Sequence, residues 1–169
     1  LFHSFTSFSL GTGDSAVWVR SGGDGGSIAN VINRVTGGTI STIDGTIATQ
    51  GLDRANFFFI NPAGIIFGTN ASVAVPNAAY FSTANTLRFA DGGVFGVTTP
   101  SGSTFSMAAP SAFGFLGARG DITVRGAGTG FVGPNTSLSL SAANIAIDRS
   151  TFSPGALDLL ALGTASINV

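Results

Sequence analysis

Short apolar stretches recur along this chain at intervals of about 22 residues, a length typical of one unit in a repeat protein. Ile43, Ile65 and Leu87 each begin such a stretch, equally spaced along the chain. Near the end of the chain the spacing returns in Ile122–Val124, Ile145–Ile147 and Ile167–Val169. The first of these two intervals is one residue longer than the second. Three strands of about five residues each, joined by three corners, account for about this length. The repeat therefore predicts a parallel β-helix, in which the inward side chains of each coil stack on those of the next.

The period is interrupted between Leu87 and Ile122, which are separated by much more than one repeat. Paired glycines and several prolines fall in this interval, and both residue types break regular elements. We therefore predict one regular coil followed by an extrusion over residues 92–112. Within it, residues 94–98 and 104–108 are expected to form a hairpin.

Residues 1–26 also lack the period, but they are rich in large apolar side chains. These are Phe2, Phe5, Phe8, Leu10 and Trp18. Because the open end of a β-helix exposes unpaired strands, we predict that residues 1–26 form an N-terminal cap. The other end has no such segment, and 167–169 stops within the pattern, so further coils are expected in the natural protein. The chain is predicted to be one domain, residues 1–169.

Composition independently favours β structure. Only 9% of residues are charged, all seven basic residues are Arg, and all eight acidic residues are Asp. Glycine, small polar residues, β-branched residues and phenylalanine dominate instead, as is typical of strands and turns. A β-sandwich could share this composition but has no reason to hold the spacing. The predicted fold class is all-β, a right-handed parallel β-helix with an N-terminal cap and an extruded hairpin.

Charge and cysteine content exclude several classes of function. The net charge is −1, so we predict neither a basic face for nucleic acid nor a polybasic contact with lipid. Residues 55–87 carry no charge, but asparagine, proline and glycine interrupt them, so a transmembrane helix is not predicted. There is no cysteine for a disulfide or a thiolate metal site.

Residues with catalytic or metal-binding chemistry are sparse. His3 is the only histidine, and nothing in the sequence marks a nucleophile beside it. Several Asp residues lie close to an Arg, as in Asp53–Arg54 and Asp148–Arg149, and we interpret them as surface pairs or turn caps. A β-helix polysaccharide lyase would need acids clustered with Lys or Arg, but Lys is absent and the acids do not follow the period. We predict no catalytic residue, no metal site and no cofactor.

One apolar segment, Asn56–Ile60, stops at a tight turn and resumes at Ile65–Phe67. The segment is short and rich in aromatic residues, which indicates a buried strand. Pro62 presets φ for the second position of a turn, and Gly64 can adopt positive φ to close it. Because strand side chains alternate between faces, at least one phenylalanine of 57–59 points outward. We expect the extrusion to cover it, in preference to a stacking platform for sugars or bases.

The residues of this turn resemble a known family motif. Asn61–Gly68 is similar to the NPNGI-type motif in the secretion domain of two-partner secretion exoproteins. This is the haemagglutination-activity domain of filamentous haemagglutinin-like adhesins. Similar blocks, partly in the variant common in cyanobacterial members, are Asn33–Gly38, Ile43–Ile47, Asn70–Val73 and Phe81–Phe89. Two features depart from the family pattern: Ala63 stands where Asn is usual, and an NPNL motif is absent.

The resemblance implies a domain of a large secreted or cell-surface exoprotein that reaches the periplasm unfolded. The POTRA domains of an outer-membrane transporter would recognise it, and it would fold outside the cell and seed the rest of the β-helix. We expect a monomer without stable membrane insertion. The residues expected to act in recognition or folding are Asn33, Arg34, Gly37, Gly38, Asn61, Pro62, Gly64, Ile65, Phe67 and Gly68. The alternative is a β-helix module that binds carbohydrate or a surface.

Overall fold

The chain folds into short strands connected by tight corners. The computed structural model describes residues 1–20, 22, 27–126, 131–151 and 154–168. The strands that build the coils are β1 (Phe2–Phe5), β2 (Ser15–Val19), β3 (Asn30–Val35), β4 (Ser41–Ile43), β5 (Thr46–Gln50), β6 (Asn56–Ile60), β7 (Ile65–Phe67), β8 (Ser72–Ala74), β9 (Ala78–Ser82), β13 (Ile122–Arg125), β14 (Ser137–Ala142), β15 (Ile145–Asp148), β16 (Ala156–Ala161) and β17 (Ala165–Asn168). The remaining strands are β10 (Thr86–Phe89), β11 (Val94–Gly96) and β12 (Pro110–Gly114). Over the described residues, no helix is both long and apolar enough to cross a membrane.

The coil strands form three parallel sheets. The first sheet has the order β1-β3-β6-β9-β14-β16, the second β17-β15-β13-β7-β4, and the third β2-β5-β8. Successive strands of the chain go to different sheets, and each strand pairs in parallel with its counterpart one coil away. This arrangement is a parallel β-helix and confirms the predicted fold class.

The pairing register differs in part from the repeat seen in the sequence. Ile122 pairs with Ile145, as the spacing predicted. Ile65, however, pairs with Ser41 rather than Ile43, whose partner is Phe67. In the last coil Ile167 pairs with Ile147, not with Ile145, and position 169 of the predicted pattern lies outside the described residues. These corrections move the register by two positions because corner lengths vary between coils, and such a shift leaves the same faces inward.

Leu87 was also predicted to lie in the coil register, and this was wrong. It belongs to β10, which lies in a separate antiparallel sheet of order β11-β10-β12. The predicted hairpin is also wrong, because β11 pairs with β10 and residues 104–108, all described, contain no strand. β10 takes the central position since both of its edges are paired.

The interior of the coil is a column of aromatic and branched aliphatic side chains. Phe57, Phe59, Phe67 and Phe81 are fully buried in it. The ring of Phe67 meets that of Phe81 edge to face, at 4.9 Å between centroids.

The N-terminal end of the column is covered by aromatic side chains of the predicted cap. Trp18 is 8% exposed, and its ring centre lies 4.8 Å from that of Phe57. Phe5, Phe8 and Leu10 pack beside it. Parts of the predicted cap, residues 21 and 23–26, lie outside the described residues.

The antiparallel sheet packs on the outer face of the first parallel sheet. A second apolar cluster joins the two, formed by Ile32, Phe58, Ile60, Ala84, Leu87, Phe89, Phe95 and Val97. Phe58 points outward from β6, yet it is only 5% exposed. This confirms the expectation that the extrusion covers the outward phenylalanine. Strands outside the predicted bounds 92–112, β10 above all, contribute to this cover.

Replacing a single core leucine tests the column. Leu140 is fully buried and pairs with Phe81 on one side and Leu159 on the other. We expect Leu140→Ala to lower the free energy of unfolding by about 2–5 kcal/mol, because a cavity remains between the coils. Leu116→Ala is the matched control, since Leu116 is 68% exposed and should cost about 0.5 kcal/mol or less. Equal midpoints in urea unfolding would contradict this account of the core.

Candidate functional site

The Asn61–Gly64 corner joins β6 to β7 through a short turn closed by its own first residue. The Gly64 amide donates to the Asn61 carbonyl at 3.1 Å, and the Ala63 amide donates to Asn61 Oδ1 at 3.0 Å. Gly64 has φ of 127°, a backbone conformation that strongly favours glycine. Ala63 contributes its backbone to the turn, so the departure from Asn at this position leaves the local geometry intact.

The Asn61 side chain connects this corner to the preceding coil. Its Nδ2 donates to the Thr39 carbonyl and to Ser41 Oγ, both at 2.9 Å. Its backbone amide donates to the Ser82 carbonyl of the following coil at 2.9 Å. Asn61 is fully buried, and an unpaired amide there would be costly. One asparagine therefore holds three successive coils in register, at the corner that follows the first sheet.

The other side of the corner lies against residues 120–121. The Gly120 amide donates to the Pro62 carbonyl at 2.7 Å, and the Ile65 amide donates to the Asp121 carbonyl at 3.0 Å. A Cβ at Gly120 would overlap the Ala63 carbonyl and the Gly64 nitrogen. Gly120 was not predicted from the sequence, because its requirement arises from a contact between segments that are far apart along the chain.

Ile65, Phe67 and Gly68 continue the motif into the core and out to the next corner. Ile65 and Phe67 are fully buried. Gly68 lies against Asp44, and a Cβ there would overlap the Asp44 carboxylate. The Gly68 amide donates to the Ile43 carbonyl at 2.8 Å. These three residues serve packing, and none presents a free side chain to a partner.

Asp44 organises the corner that follows the motif. Its carboxylate accepts hydrogen bonds from Thr12 Oγ1, the Asn70 amide at 3.0 Å and Asn70 Nδ2 at 3.1 Å. The hydroxyl of Thr12, with the two Asn70 donors, lowers the pKa of the Asp44 carboxyl below its ordinary value. Asp44 was not predicted as a site residue, although its place just after an apolar strand is typical of a corner residue.

The second motif block, Asn33–Gly38, lies on β3 and the corner after it. Asn33 is fully buried, and its Nδ2 donates to the Phe58 carbonyl on β6 at 2.9 Å. A Cβ at Gly37 would overlap the Thr6 carbonyl, and Gly38 has φ of 73°. A close contact therefore requires glycine at position 37, and the positive φ favours glycine at position 38.

Arg34 is a buried cation that links three segments. Its guanidinium donates to Ser4 Oγ on β1, to the Gly96 carbonyl and to Ser103 Oγ, and its Cζ lies 4.4 Å from the Phe95 ring centre. Arg34 is 7% exposed, and no salt bridge is formed to it within the described residues. Burial lowers the pKa of the Arg34 guanidinium. This residue fastens the antiparallel sheet to the column.

The two motif blocks meet at one flank of the coil. The corner after Gly38 stacks directly below the Asn61 turn, and the Ser41 amide donates to the Gly64 carbonyl at 3.1 Å. Pro62 and Ala63 are half-buried, and Ile40 beside them is 52% exposed. Most side chains of the predicted recognition or folding residues therefore contact each other or other parts of the folded domain. The surface they leave open is small.

The remaining acidic residues and His3 form no recognisable catalytic group within the described ranges. Asp148 and Arg149 form an exposed ion pair at 3.5 Å. Asp91 caps a turn by accepting from the Gly93 amide at 3.0 Å. His3 is half-buried beside Phe5, and burial lowers the pKa of its imidazole. In the part of the chain that the structure describes, no three His or Asp side chains gather in a geometry for a metal ion.

Removing the Asn61 carboxamide tests the structural part of the motif. Asn61→Ala leaves the Thr39 carbonyl and the Ala63 amide without their partner, so we expect a loss of about 2–4 kcal/mol in unfolding free energy. Pro62→Ala is the matched control in the same turn, with an expected loss of about 1 kcal/mol or less. Chemical unfolding followed by circular dichroism measures both. A neutral Asn61→Ala would show that these bonds do not support the corner.

The lowered pKa of Asp44 makes one corner sensitive to acid. A folded-state pKa below the unfolded value of about 3.9 means that the stabilisation exists above that pH and is lost as pH falls. We therefore expect the melting temperature of the unsubstituted domain to exceed that of Asp44→Asn at neutral pH, with the difference shrinking below about pH 4. Melting curves from neutral to strongly acidic pH test this, and a constant difference would refute it.

Comparison with known proteins places the chain in a family. The model of the TPS secretion domain matches residues 1–167. No curated protein and no solved structure gives a significant match. Domains of this kind are secretion or adhesin-type domains rather than catalytic ones, and they imply an outer-membrane transporter as partner and export across the outer membrane to the surface or medium. The chain belongs to the TPS secretion domain family and is a domain of a two-partner secretion exoprotein.

Proposed function

We propose that the POTRA domains of the outer-membrane transporter recognise this domain while it is unfolded in the periplasm. The domain then nucleates β-helix folding after it has crossed the outer membrane. The observation that carries the proposal is the burial of the motif. Asn33, Asn61, Ile65 and Phe67 are fully buried, and Arg34 is 7% exposed.

Burial determines which state of the chain a partner could read. In the folded coil the Asn61 amide makes all its hydrogen bonds within the protein. A partner that contacted this side chain would have to break them, at about 1–3 kcal/mol for each group left unsatisfied. An extended chain offers the same side chains freely, together with backbone edges that can add to a sheet of the partner. Recognition of the motif is therefore assigned to the unfolded chain.

The same burial gives the process a direction. Each residue that leaves the transporter and enters the coil exchanges a partner contact for a contact within the column. Corners 39–41, 61–64 and 120–121 stack on each other through backbone and side-chain bonds. Each completed coil therefore presents a template for the next, as in other repeat folds that nucleate and propagate. Folding on the outer side would oppose return of the chain.

The proposal assigns two duties to the motif residues. Asn61, Pro62, Gly64 and Ile65 would be read in the periplasm and would afterwards form the corner. Asn33 to Gly38 would act in the same way on the neighbouring coil, with Arg34 later fastening the antiparallel sheet. An experiment must therefore separate failure of recognition from failure of folding.

Export from cells can make this separation. The chain is placed behind a signal peptide, with a photo-crosslinking residue at position 66, and expressed with and without its cognate transporter. We expect release into the medium only with the transporter. Crosslinking to the POTRA domains should fall about tenfold in Asn61→Ala, as expected for loss of a hydrogen-bonded contact.

Leu140→Ala is the control because it weakens the fold from outside the motif. Both variants should show less protease resistance after release, since both destabilise the column. Only Asn61→Ala should lose crosslinking in the periplasm. If the two variants crosslink equally well, the motif acts only in folding and the proposed recognition is wrong. Release without the transporter would reject the proposal as a whole.

A further inference from the structure

A groove runs along the outer face of the first parallel sheet, beside the antiparallel sheet. Its volume is about 410 Å³. The floor contains Phe58, Tyr80 and Leu87, one wall is residues 109–113, and the other wall contains Asn30 and Asn56. A smaller cavity of about 250 Å³ continues it towards Phe2. We name this feature the outer groove.

One wall of the outer groove is a strand with an unpaired edge. Among the described strands, β12 pairs only with β10, through Leu87↔Phe113 and its neighbours. The other edge of β12 therefore offers backbone N–H and C=O groups to whatever lies beside it. Strand edges of this kind bind extended peptides by adding a strand to the sheet.

The opposite wall is a ladder of asparagine amides. Asn77 Nδ2 donates to Asn56 Oδ1 at 2.8 Å, and Asn56 Nδ2 donates to Asn30 Oδ1 at 3.2 Å. The ladder crosses the same coils as the groove. Within the described residues Asn30 Nδ2 makes no hydrogen bond of its own. It is thus a donor at the groove wall that can bond an occupant's carbonyl.

The floor favours a peptide over a sugar. Phe58 and Tyr80 are stacked, with ring centres 4.4 Å apart and planes 6° apart. Their faces are therefore turned towards each other along the coil axis, and the groove meets mainly ring edges. Sugars pack on open aromatic faces, whereas aliphatic side chains of a peptide can lie against ring edges.

The charge of the outer groove selects the occupant further. None of the side chains that line the cavity of about 410 Å³ is charged, so a charged side chain of an occupant there would lose hydration without gaining a partner. At the rim, Phe105 is 63% exposed and Met107 is fully exposed. Exposed apolar side chains beside a groove are typical of protein interaction sites. The complementary occupant is an uncharged, extended segment with apolar side chains at alternate positions.

We propose that the outer groove binds an uncharged, extended peptide segment of a partner protein, which pairs with the free edge of β12. From β3 to β9 the groove spans two inter-strand distances, about 10 Å, which is room for about three residues. The site belongs to the folded domain, and so it is separate from recognition of the unfolded chain.

Nuclear magnetic resonance can test the proposal with a defined probe. The probe is a capped hexapeptide of alternating valine and serine, added to the folded domain. We expect saturable shifts at the amides of residues 111–113 and at the Asn30 and Asn56 side chains. The same peptide with an N-methyl group on every residue should not bind, because it has no N–H group to pair with an edge. A version with glutamate in place of serine should bind about tenfold more weakly.

Two tryptophan variants control for the position of the site. Ala29→Trp places a large side chain where the two cavities of the outer groove meet, whereas Ala118→Trp places one on the surface outside it. Both alanines are exposed, so both variants should fold, as circular dichroism can verify. Ala29→Trp should weaken binding about tenfold or more, and Ala118→Trp should not.

Four outcomes would overturn the proposal. One is the absence of saturable shifts with the peptide. Another is a set of shifts confined to the edges β2, β16 or β17. A further one is equal binding of the peptide by Ala29→Trp and by the unsubstituted domain. The last is perturbation of residues 109–113 by chitohexaose but not by the peptide, which would indicate a site for sugars.

Discussion

The fold depends on the hydrogen bonds that one buried carboxamide makes to its neighbours. Asn61 donates to Thr39 and Ser41 in the coil before, accepts from Ala63 in its own turn, and pairs through its backbone with Ser82 in the coil after. Within the described residues, a β-helix of this kind has no long helices to clamp its coils together. Its register therefore depends on corners, and this corner contains a residue that connects three of the coils.

The column in turn supports the antiparallel sheet. The outward side chains of β3 and β6 form an apolar patch that the strands β10, β11 and β12 cover. Arg34 adds a polar connection inside that contact, with neutral acceptors and an aromatic ring as its partners. Burying a guanidinium without a carboxylate is costly. The arrangement is therefore specific, because a shifted sheet would leave the same donors without their acceptors.

Much of the architecture follows from the sequence because its signals are local. Alternating apolar residues, proline and glycine at 62 and 64, and the scarcity of helix-forming charged residues together specify strands and corners. Ile122 and Ile145 even lie in the predicted register. The predictions of the Ile43–Ile65 register and of the hairpin at 94–108 were wrong. Corner length and the choice of pairing partner for a strand depend on contacts between segments that are distant along the chain. The site shows the same division: the turn at 61–64 was predicted from residue types that set backbone angles, whereas Gly120, Asp44 and the outer groove depend on contacts between coils.

The antiparallel sheet also takes one strand out of the order in which the chain builds its coils. In the finished fold β7 pairs with β13, although the next apolar strand along the chain after β9 is β10. Leu87 follows Ile65 at close to the coil spacing. In a chain that is translocated from its N-terminus, β10 would become available to pair with β7 before β13 does. The packing of Leu87 and Phe89 in one apolar cluster with Phe58 holds β10 outside the second sheet and leaves the edge of β7 to β13.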